Sequence, residues 1–321
     1  MKLQVRNEII EFNLSIDEFL NDFNQNKFII CDRKVYNFYK EEVNKYKVYI
    51  IDAVEENKNI STVLNLCEQL ITDGFTKGDL LVAFGGGVLT DIVGFLASII
   101  YRGTQHVFIP TTLLSMVDAS IGGKCGVDFN NQKNVLGTIK EPLKILINTR
   151  YLATLDKYEL LSGFGEIIKY KYLNTELNID CDITQLVYNC IMIKKYFVEE
   201  DLLDNGLRMM LNFGHTFGHQ IELRKNISHG LAVINGIYLI LKLEFDLGII
   251  NKNVIEQYIS LLDKYSIKLM VLDYRDYLDL IFLDKKNRNG KLNLIFIDQN
   301  NKPFIYKTTK EELNEKLKIR N

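Results

Sequence analysis

The stretch Leu80-Leu-Val-Ala-Phe84-Gly85-Gly86-Gly87-Val88-Leu89-Thr90-Asp91 decides how the fold is read. Its first residues are continuously apolar, without the alternation of a half-solvated strand, and so match a strand buried on both faces of a parallel sheet. The glycines mark a tight turn. From Val88 onward the residues follow a helical repeat, with Asp91 near the first turn. Because the run stays apolar to Tyr101, a membrane span is the competing reading. Asp91 opposes it, since an aspartate at mid-bilayer costs about 2.5 to 3.5 kcal/mol. Gly85, Gly86, Gly87 and Gly94 also interrupt the run, and a strand entering a helix explains it better.

Outward from this unit the alternation continues. Lys27-Phe-Ile-Ile-Cys31, Lys47-Val-Tyr-Ile-Ile51, His106-Val-Phe-Ile-Pro110 and Lys144-Ile-Leu-Ile147 read as strands, and Ile60 to Asp73 as an amphipathic helix. This is a doubly wound α/β pattern. After Arg150 the texture changes to long segments of 3.6-residue period: Asp156 to Leu173, Ile183 to Asp204, Leu207 to Glu222, Leu231 to Asp246 and Val254 to Tyr265. The expectation is an α/β domain over residues 1–150 and a mainly α-helical domain over 151–321, with Pro142 close to the boundary. Leu292 to Ile297 reads as one side of a small hairpin and Lys310 to Ile319 as a closing helix. There are no internal repeats and no low-complexity linkers.

With 321 residues, 47% of them hydrophobic and 25% charged, the chain can build two real cores. A net charge of −2 leaves no electrostatic footprint for nucleic acid or an anionic membrane. The five cysteines are scattered without a CxxC pair, which reads as reduced thiols in a cytoplasmic protein. The N-terminus lacks the apolar core of a secretory signal.

A glycine turn after a buried strand suits a dinucleotide pyrophosphate, because backbone N–H groups can approach the phosphates at a helix N-terminus. The spacing is not GxGxxG, so a merely structural turn remains open. Asp32, after the strand ending at Cys31, is placed to meet ribose hydroxyls, although aspartates at strand ends are common. Pro110 to Asn134 is dense in Gly, Thr, Ser, Asp, Lys and Asn, too polar for a core, and Lys124 and Lys133 in it suit phosphate groups. In Gly163-Phe-Gly-Glu166-Ile-Ile-Lys169, Glu166 and Lys169 stand at i, i+3, which alone reads first as a surface ion pair. Three of the four histidines fall in Asn212-Phe-Gly-His215-Thr-Phe-Gly-His219 and Ile227-Ser-His229-Gly. His215 and His219 share a helical face, so a first-row metal is the sharp reading and satisfied core histidines the bland one.

These blocks, together with Glu55-Glu-Asn-Lys58, Arg102-Gly, Arg208 to His219 and Asp284-Lys-Lys286, resemble the 3-dehydroquinate synthases of the sugar phosphate cyclase family, in the same order and over nearly the whole chain. The resemblance implies a Rossmann-like N-terminal domain, a helical C-terminal domain, bound NAD, a divalent metal that is zinc or alternatively cobalt, a cytoplasmic location and a homodimer. It moves the metal ligands to Glu166, His215 and His229 and sends His219 to the substrate phosphate. It implies NAD contacts at Asp32, Glu55, Lys58, Gly86, Gly87, Asp91, Thr111, Thr112, Asp118, Lys133 and Thr154. A sugar phosphate substrate, 3-deoxy-arabino-heptulosonate 7-phosphate, would meet Asp118, Lys124, Asn134, Lys169, Lys194, Arg208, Asn212, His219 and Lys285 or Lys286. Arg102 would reach into the partner's phosphate site.

The implied reaction belongs to the shikimate pathway of aromatic amino acid biosynthesis. It is a phosphorus-oxygen lyase reaction: transient oxidation by NAD, phosphate elimination, re-reduction and intramolecular aldol closure. The chain departs from the family's usual pattern at Leu231, where a glutamate is usual after His-Gly; at Thr90, where glycine is frequent; and in a shorter loop between His219 and His229. Leu231 removes a carboxylate that could support the metal. Alternatives are another sugar phosphate cyclase making an inosose or a valiolone, an iron- or zinc-dependent glycerol-type dehydrogenase, and a non-catalytic NAD-binding protein.

Overall fold

The computed structural model describes residues 1–130, 132–283 and 291–320. The chain begins with an antiparallel pair, β1 (Lys2–Val5) and β2 (Glu8–Phe12), and a short helix α1 (Ile16–Leu20) whose Ser15 and Glu18 form a reciprocal capping box. Strands and helices then alternate through β3 (Lys27–Asp32), α2 (Arg33–Val43), β4 (Lys47–Ile51), α3 (Ile60–Thr72), β5 (Leu80–Gly85), α4 (Gly87–Ile99) and β6 (Gln105–Pro110). A separate hairpin, β7 (Lys124–Phe129) and β8 (Gln132–Ile139), precedes β9 (Lys144–Ile147).

The main sheet has the order β1-β2-β9-β6-β5-β3-β4, and every neighbouring pair except β1 with β2 is parallel. Every residue of β5 is buried, as its unbroken apolar run requires. The chain runs from β3 outward to β4 and then returns to the other side of β3 as β5. That reversal lies between β3 and β5, and in open α/β sheets ligands bind beyond the carboxyl ends of the strands at such a point. The apolar stretch from residue 80 to residue 101 is therefore strand, glycine turn and helix. Among the described residues no helix is long and apolar enough to cross a membrane.

Farther along come α5 (Lys157–Leu173), α6 (Ile183–Glu200), α7 (His215–Lys225), α8 (His229–Asp246), α9 (Lys252–Lys264) and α10 (Leu278–Leu283), then the hairpin β10 (Leu292–Ile297) with β11 (Pro303–Thr308), and α11 (Lys310–Arg320). Two compact units emerge, Met1–Gly163 with Asp180–Leu203, and Phe164–Ile179 with Asp204–Asn321. The division is not a single cut near residue 150. In the first unit, α6 packs beside the sheet: the Tyr188 and Phe12 rings lie 5.9 Å apart, and Thr184 and Thr149 share a hydroxyl hydrogen bond of 2.8 Å.

In the second unit α8 is the central element, with Ala232, Val233, Ile234, Ile237, Leu239 and Leu241 fully buried. The helix expected from Leu207 to Glu222 is split. A 3₁₀ segment, Leu207–Asn212, gives way to α7, which starts at His215. Gly214 makes the break: its φ is +78°, and an added Cβ would lie 2.5 Å from Ile237 Cγ1, so only glycine fits. The consequence is positional, because His215 becomes the first residue of α7.

Candidate functional site

The second unit brings Glu166 of α5, His215 of α7 and His229 of α8 together. One potential ligand atom from each lies within 4.8 Å of the others. Nε2 of His215 is 3.4 Å, and Nε2 of His229 3.3 Å, from the same Glu166 Oε1. This convergence depends on a close helix crossing: a Cβ placed on Gly165 would fall 2.3 Å from the Gly230 carbonyl oxygen. Gly165 precedes Glu166 and Gly230 follows His229, so the narrowest point of the crossing sits next to two of the three groups.

Glu166 and Lys169 are both buried, 0% and 1% exposed, and form an ion pair. A surface pair, the plain reading of their i, i+3 spacing, is thereby corrected: this face of α5 points inward, so the pair is withdrawn from water. Neither Glu166 oxygen makes a hydrogen bond of ordinary geometry. A buried carboxylate left in that condition, with two imidazole nitrogens turned toward it, fits a divalent cation, and the oxygen and nitrogen donors suit zinc. Burial alone would favour the neutral acid, but Lys169 and His215 hold Glu166 well below the usual carboxylate range. Burial lowers the His215 imidazole. It would lower His229 too, but contacts with Glu166 and Glu222 and their charge raise that imidazole to about 9.

His219 lies one turn along α7, with its ring centroid 5.4 Å from that of His215 and 6.1 Å from that of His229. It stands beside the three-residue group without belonging to it. In the same unit Arg208 is buried and Asn212 exposed, both on the 3₁₀ segment before Gly214. Leu231 is half-buried in the first turn of α8, and the carboxylate beside His229 comes from Glu222, whose Oε2 is 3.0 Å from Nδ1. Lys285 and Lys286 lie outside the described residues.

The first unit gathers a different set. Asp32 ends β3 and caps α2, its carboxylate accepting from the Lys34 amide at 3.2 Å, and burial raises its pKa. Gly86 is the N-cap of α4 and supplies no side-chain cap, so the first amides of the helix are left for another acceptor. The Thr111 amide donates to the Gly85 carbonyl at 3.0 Å, and the Thr112 hydroxyl bonds Ser115 at 2.8 Å. Asp32, Gly86, Gly87, Thr111 and Thr112 thus line the carboxyl ends of three adjacent strands, at the reversal between β3 and β5. In the same unit, the Lys58 ammonium meets Asp91 at 2.5 Å and that of Lys133 meets Glu55 at 3.1 Å. Burial would lower the pKa of Lys58, but Asp91 and Glu55 raise it above its usual value. Thr154 is hydrogen-bonded to Tyr39 at 3.1 Å.

Also in this unit, Asp118 sits in a short π-helical turn, Ser115–Ala119, and receives Lys194 from α6 at 2.5 Å through both its backbone and side-chain oxygens. Lys124 opens β7 and is exposed. Asn134, at φ +53°, donates its amide to Asp128 at 2.7 Å. Arg102 is exposed in a left-handed stretch, with φ of +50° at Tyr101 and +61° at Arg102.

Sequence reasoning missed two carboxylates. Glu222 could have been found, because it stands seven residues after His215 on the same face of α7. Glu8 is fully buried and accepts from the Gly122 amide at 2.9 Å, anchoring the loop before Lys124. No local signal marks it, since its partner is 114 residues away.

Comparison with known proteins gives a consistent result. The family model for the N-terminal part of 3-dehydroquinate synthase matches residues 48–162, and that for its C-terminal part matches residues 163–287. A 3-dehydroquinate synthase from Dictyoglomus thermophilum is 35% identical over 321 residues, covering 92% of this chain and 90% of that protein. Among solved structures, 2-deoxy-scyllo-inosose synthase complexed with carbaglucose-6-phosphate, NAD+ and Co2+ superposes with a TM-score of 0.85 at 22% identity, over 100% of both chains. The 2-epi-5-epi-valiolone synthase of Streptomyces hygroscopicus, with NAD+ and Zn2+ bound, gives a TM-score of 0.83 at 25% identity, over 99% of this chain and 97% of that one. With both family models matching and identity of this level sustained over almost the full length, the chain belongs to the 3-dehydroquinate synthase family.

Proposed function

We propose that the protein converts 3-deoxy-arabino-heptulosonate 7-phosphate to 3-dehydroquinate and phosphate, as an NAD- and metal-dependent phosphorus-oxygen lyase of the shikimate pathway. The observation that carries this reading is the convergence of buried Glu166 and His215 with half-buried His229 in a chain of this family. These three residues would hold zinc or cobalt, and bound metal would lower the pKa of substrate hydroxyls and polarise a transient ketone. NAD, held at the β3 and β5 ends by Asp32, Glu55, Lys58, Gly86, Gly87, Asp91, Thr111, Thr112, Asp118, Lys133 and Thr154, would accept and return a hydride.

The remaining roles are carried from the family resemblance, with which the charges of the side chains agree. Lys124, Asn134, Asn212 and His219 supply donors for a phosphate near two negative charges. Lys194 and Arg208 are the cations for the substrate carboxylate, and Lys169, beside Glu166, is a charge-balancing donor. Lys285 is carried from the resemblance alone. A homodimer, with Arg102 reaching the partner's phosphate site, belongs to the same proposal, as does a cytoplasmic location.

Retention of Lys194, Arg208, Asn212 and His219 together favours the acid substrate over the sugar phosphates that lead to an inosose or a valiolone. The deciding experiment incubates zinc-loaded protein with NAD and the heptulosonate phosphate, and follows phosphate release and the cyclic product. Folded, metal-replete protein that yields neither sinks the proposal, and net accumulation of NADH points instead to a dehydrogenase.

A further inference from the structure

Taking the metal reading of Glu166, His215 and His229 as its base, we infer that Glu222 is a positioning residue for the metal centre, orienting His229 and setting which of its nitrogens faces the ion. An imidazole ligates through one nitrogen while the other carries a hydrogen, and the partner of that hydrogen fixes tautomer and ring angle. In His229 the two nitrogens face two carboxylates. Nδ1 lies 3.0 Å from Glu222 Oε2, and Nε2 lies 3.3 Å from Glu166 Oε1. With Glu222 accepting the Nδ1 hydrogen, the Nε2 lone pair is directed toward Glu166 and His215.

His215 repeats the arrangement with a weaker partner. Its Nδ1 is 3.2 Å from the Phe213 carbonyl oxygen, and its Nε2 turns to the same Glu166 oxygen. Both imidazoles are therefore held from behind by oxygen and present Nε2 to a common point. The two supports differ in charge, because a carboxylate makes its imidazole a more basic ligand than a carbonyl does. The carboxylates of Glu222 and Glu166 together also match the charge of a divalent cation.

The geometry that puts Glu222 there is local. It sits in the last turn of α7, two turns beyond His215, and Asn226 ends the helix in a left-handed conformation at φ +49°. Two further residues bring the chain to His229 at the start of α8. The Glu222 side chain is 14% exposed and that of His229 28%, so the contact is largely shielded from water.

The test uses full-length protein with Glu222→Gln, Glu222→Ala and Glu222→Asp, and His229→Ala as reference. Zinc affinity is measured by chelator competition, the ligand field from the visible spectrum of the cobalt form, and the fold from urea unfolding of the metal-free proteins. Glu222→Gln and Glu222→Ala should weaken zinc binding roughly 10- to 100-fold and alter the cobalt spectrum, and Glu222→Asp should recover part of the loss. Glu222→Gln keeps the shape of the side chain and carries the test if Glu222→Ala does not fold. Zinc affinity within twofold of the parent in both Glu222→Gln and Glu222→Ala, with His229→Ala strongly weakened, overturns this inference alone. So does a lowered urea midpoint of the metal-free variants with unchanged zinc affinity, which marks a purely structural role. Unchanged binding in His229→Ala removes the metal reading and the inference with it.

Discussion

Replacing Gly165 by alanine tests how closely the crossing of α5 and α8 governs the metal centre. The new Cβ would stand 2.3 Å from the Gly230 carbonyl oxygen and 2.6 Å from the Gly230 Cα and carbonyl carbon. Carbon and oxygen approach one another no closer than about 3.3 Å, so the two backbones must separate by about 1 Å. All three neighbours are backbone atoms, and no side-chain rotation relieves the clash. Overpacking of this kind costs about 1–3 kcal/mol, and alanine in a helix returns about 0.5–1 kcal/mol relative to glycine. The net expectation is a loss centred on about 1 kcal/mol in stability, a fall of a few degrees in Tm.

The larger effect falls on the ligands, because Glu166 and His229 adjoin the two colliding residues. Metal–ligand distances tolerate changes of about 0.2 Å, so a separation of about 1 Å should weaken zinc binding at least about tenfold, or about 1.4 kcal/mol. Chelator competition reads the affinity and thermal unfolding the stability. Gly78→Ala is the control, since the nearest atom to its added Cβ is Thr76 Oγ1 at 3.9 Å. A Gly165→Ala protein that binds zinc as the parent does, with the same Tm, refutes the reasoning.

Three further outcomes follow from the same geometry. His215→Ala should abolish zinc binding while His219→Ala keeps the metal and loses turnover, and equal metal loss in both would contradict the division of roles. Lys194→Met should lower the stability of the first unit by about 1.5–3 kcal/mol, the range for a hydrogen bond to a charged group, because Asp118 loses the Lys194 ammonium; an unchanged denaturation midpoint would show the pair to be inert. His106 is buried in β6 and burial depresses its pKa to about 3, so the unfolded chain takes up a proton near pH 6.5 and the folded protein does not until about pH 3. Stability is therefore lost as pH falls through that window, by about 1.4 kcal/mol per pH unit. His106→Asn should remove that slope, and curves of stability against pH that coincide for the two proteins would rule the linkage out.

The sheet was legible wherever burial left an unbroken apolar run, as in Leu80 to Phe84 and Lys144 to Ile147. It was not legible where charged or loop-like residues break up the apolar run. β1 and β2 carry Lys2, Glu8 and Glu11, and β7 and β8 lie in a stretch of Gly, Asn and Lys whose composition reads as a polar loop. The α6 periodicity marks a helix but says nothing of which unit it packs on, because an amphipathic face is the same whatever covers it. In the candidate site, helical spacing drew attention to His215 and His219, yet the group of converging atoms takes His229 and the distant Glu166. Spacing reports neighbours along one helix. The meeting of three helices depends on glycines at close approaches, and Gly165 and Gly214 are unremarkable as letters.

The chain passes between the two units three times, at residues 163/164, 179/180 and 203/204. Neither unit is a continuous gene segment. During synthesis, when N-terminal regions emerge and fold first, the first unit must wait for the stretch through Leu203, and Glu166 emerges long before either histidine it meets. Expression of residues 1–163 alone would leave the sheet without α6 and Asp118 without Lys194, and a fragment starting at residue 204 would lack Glu166. Truncation at the obvious boundary should therefore yield two insoluble halves, whereas coexpressed pieces divided at an exposed loop inside one unit have a route to reassemble.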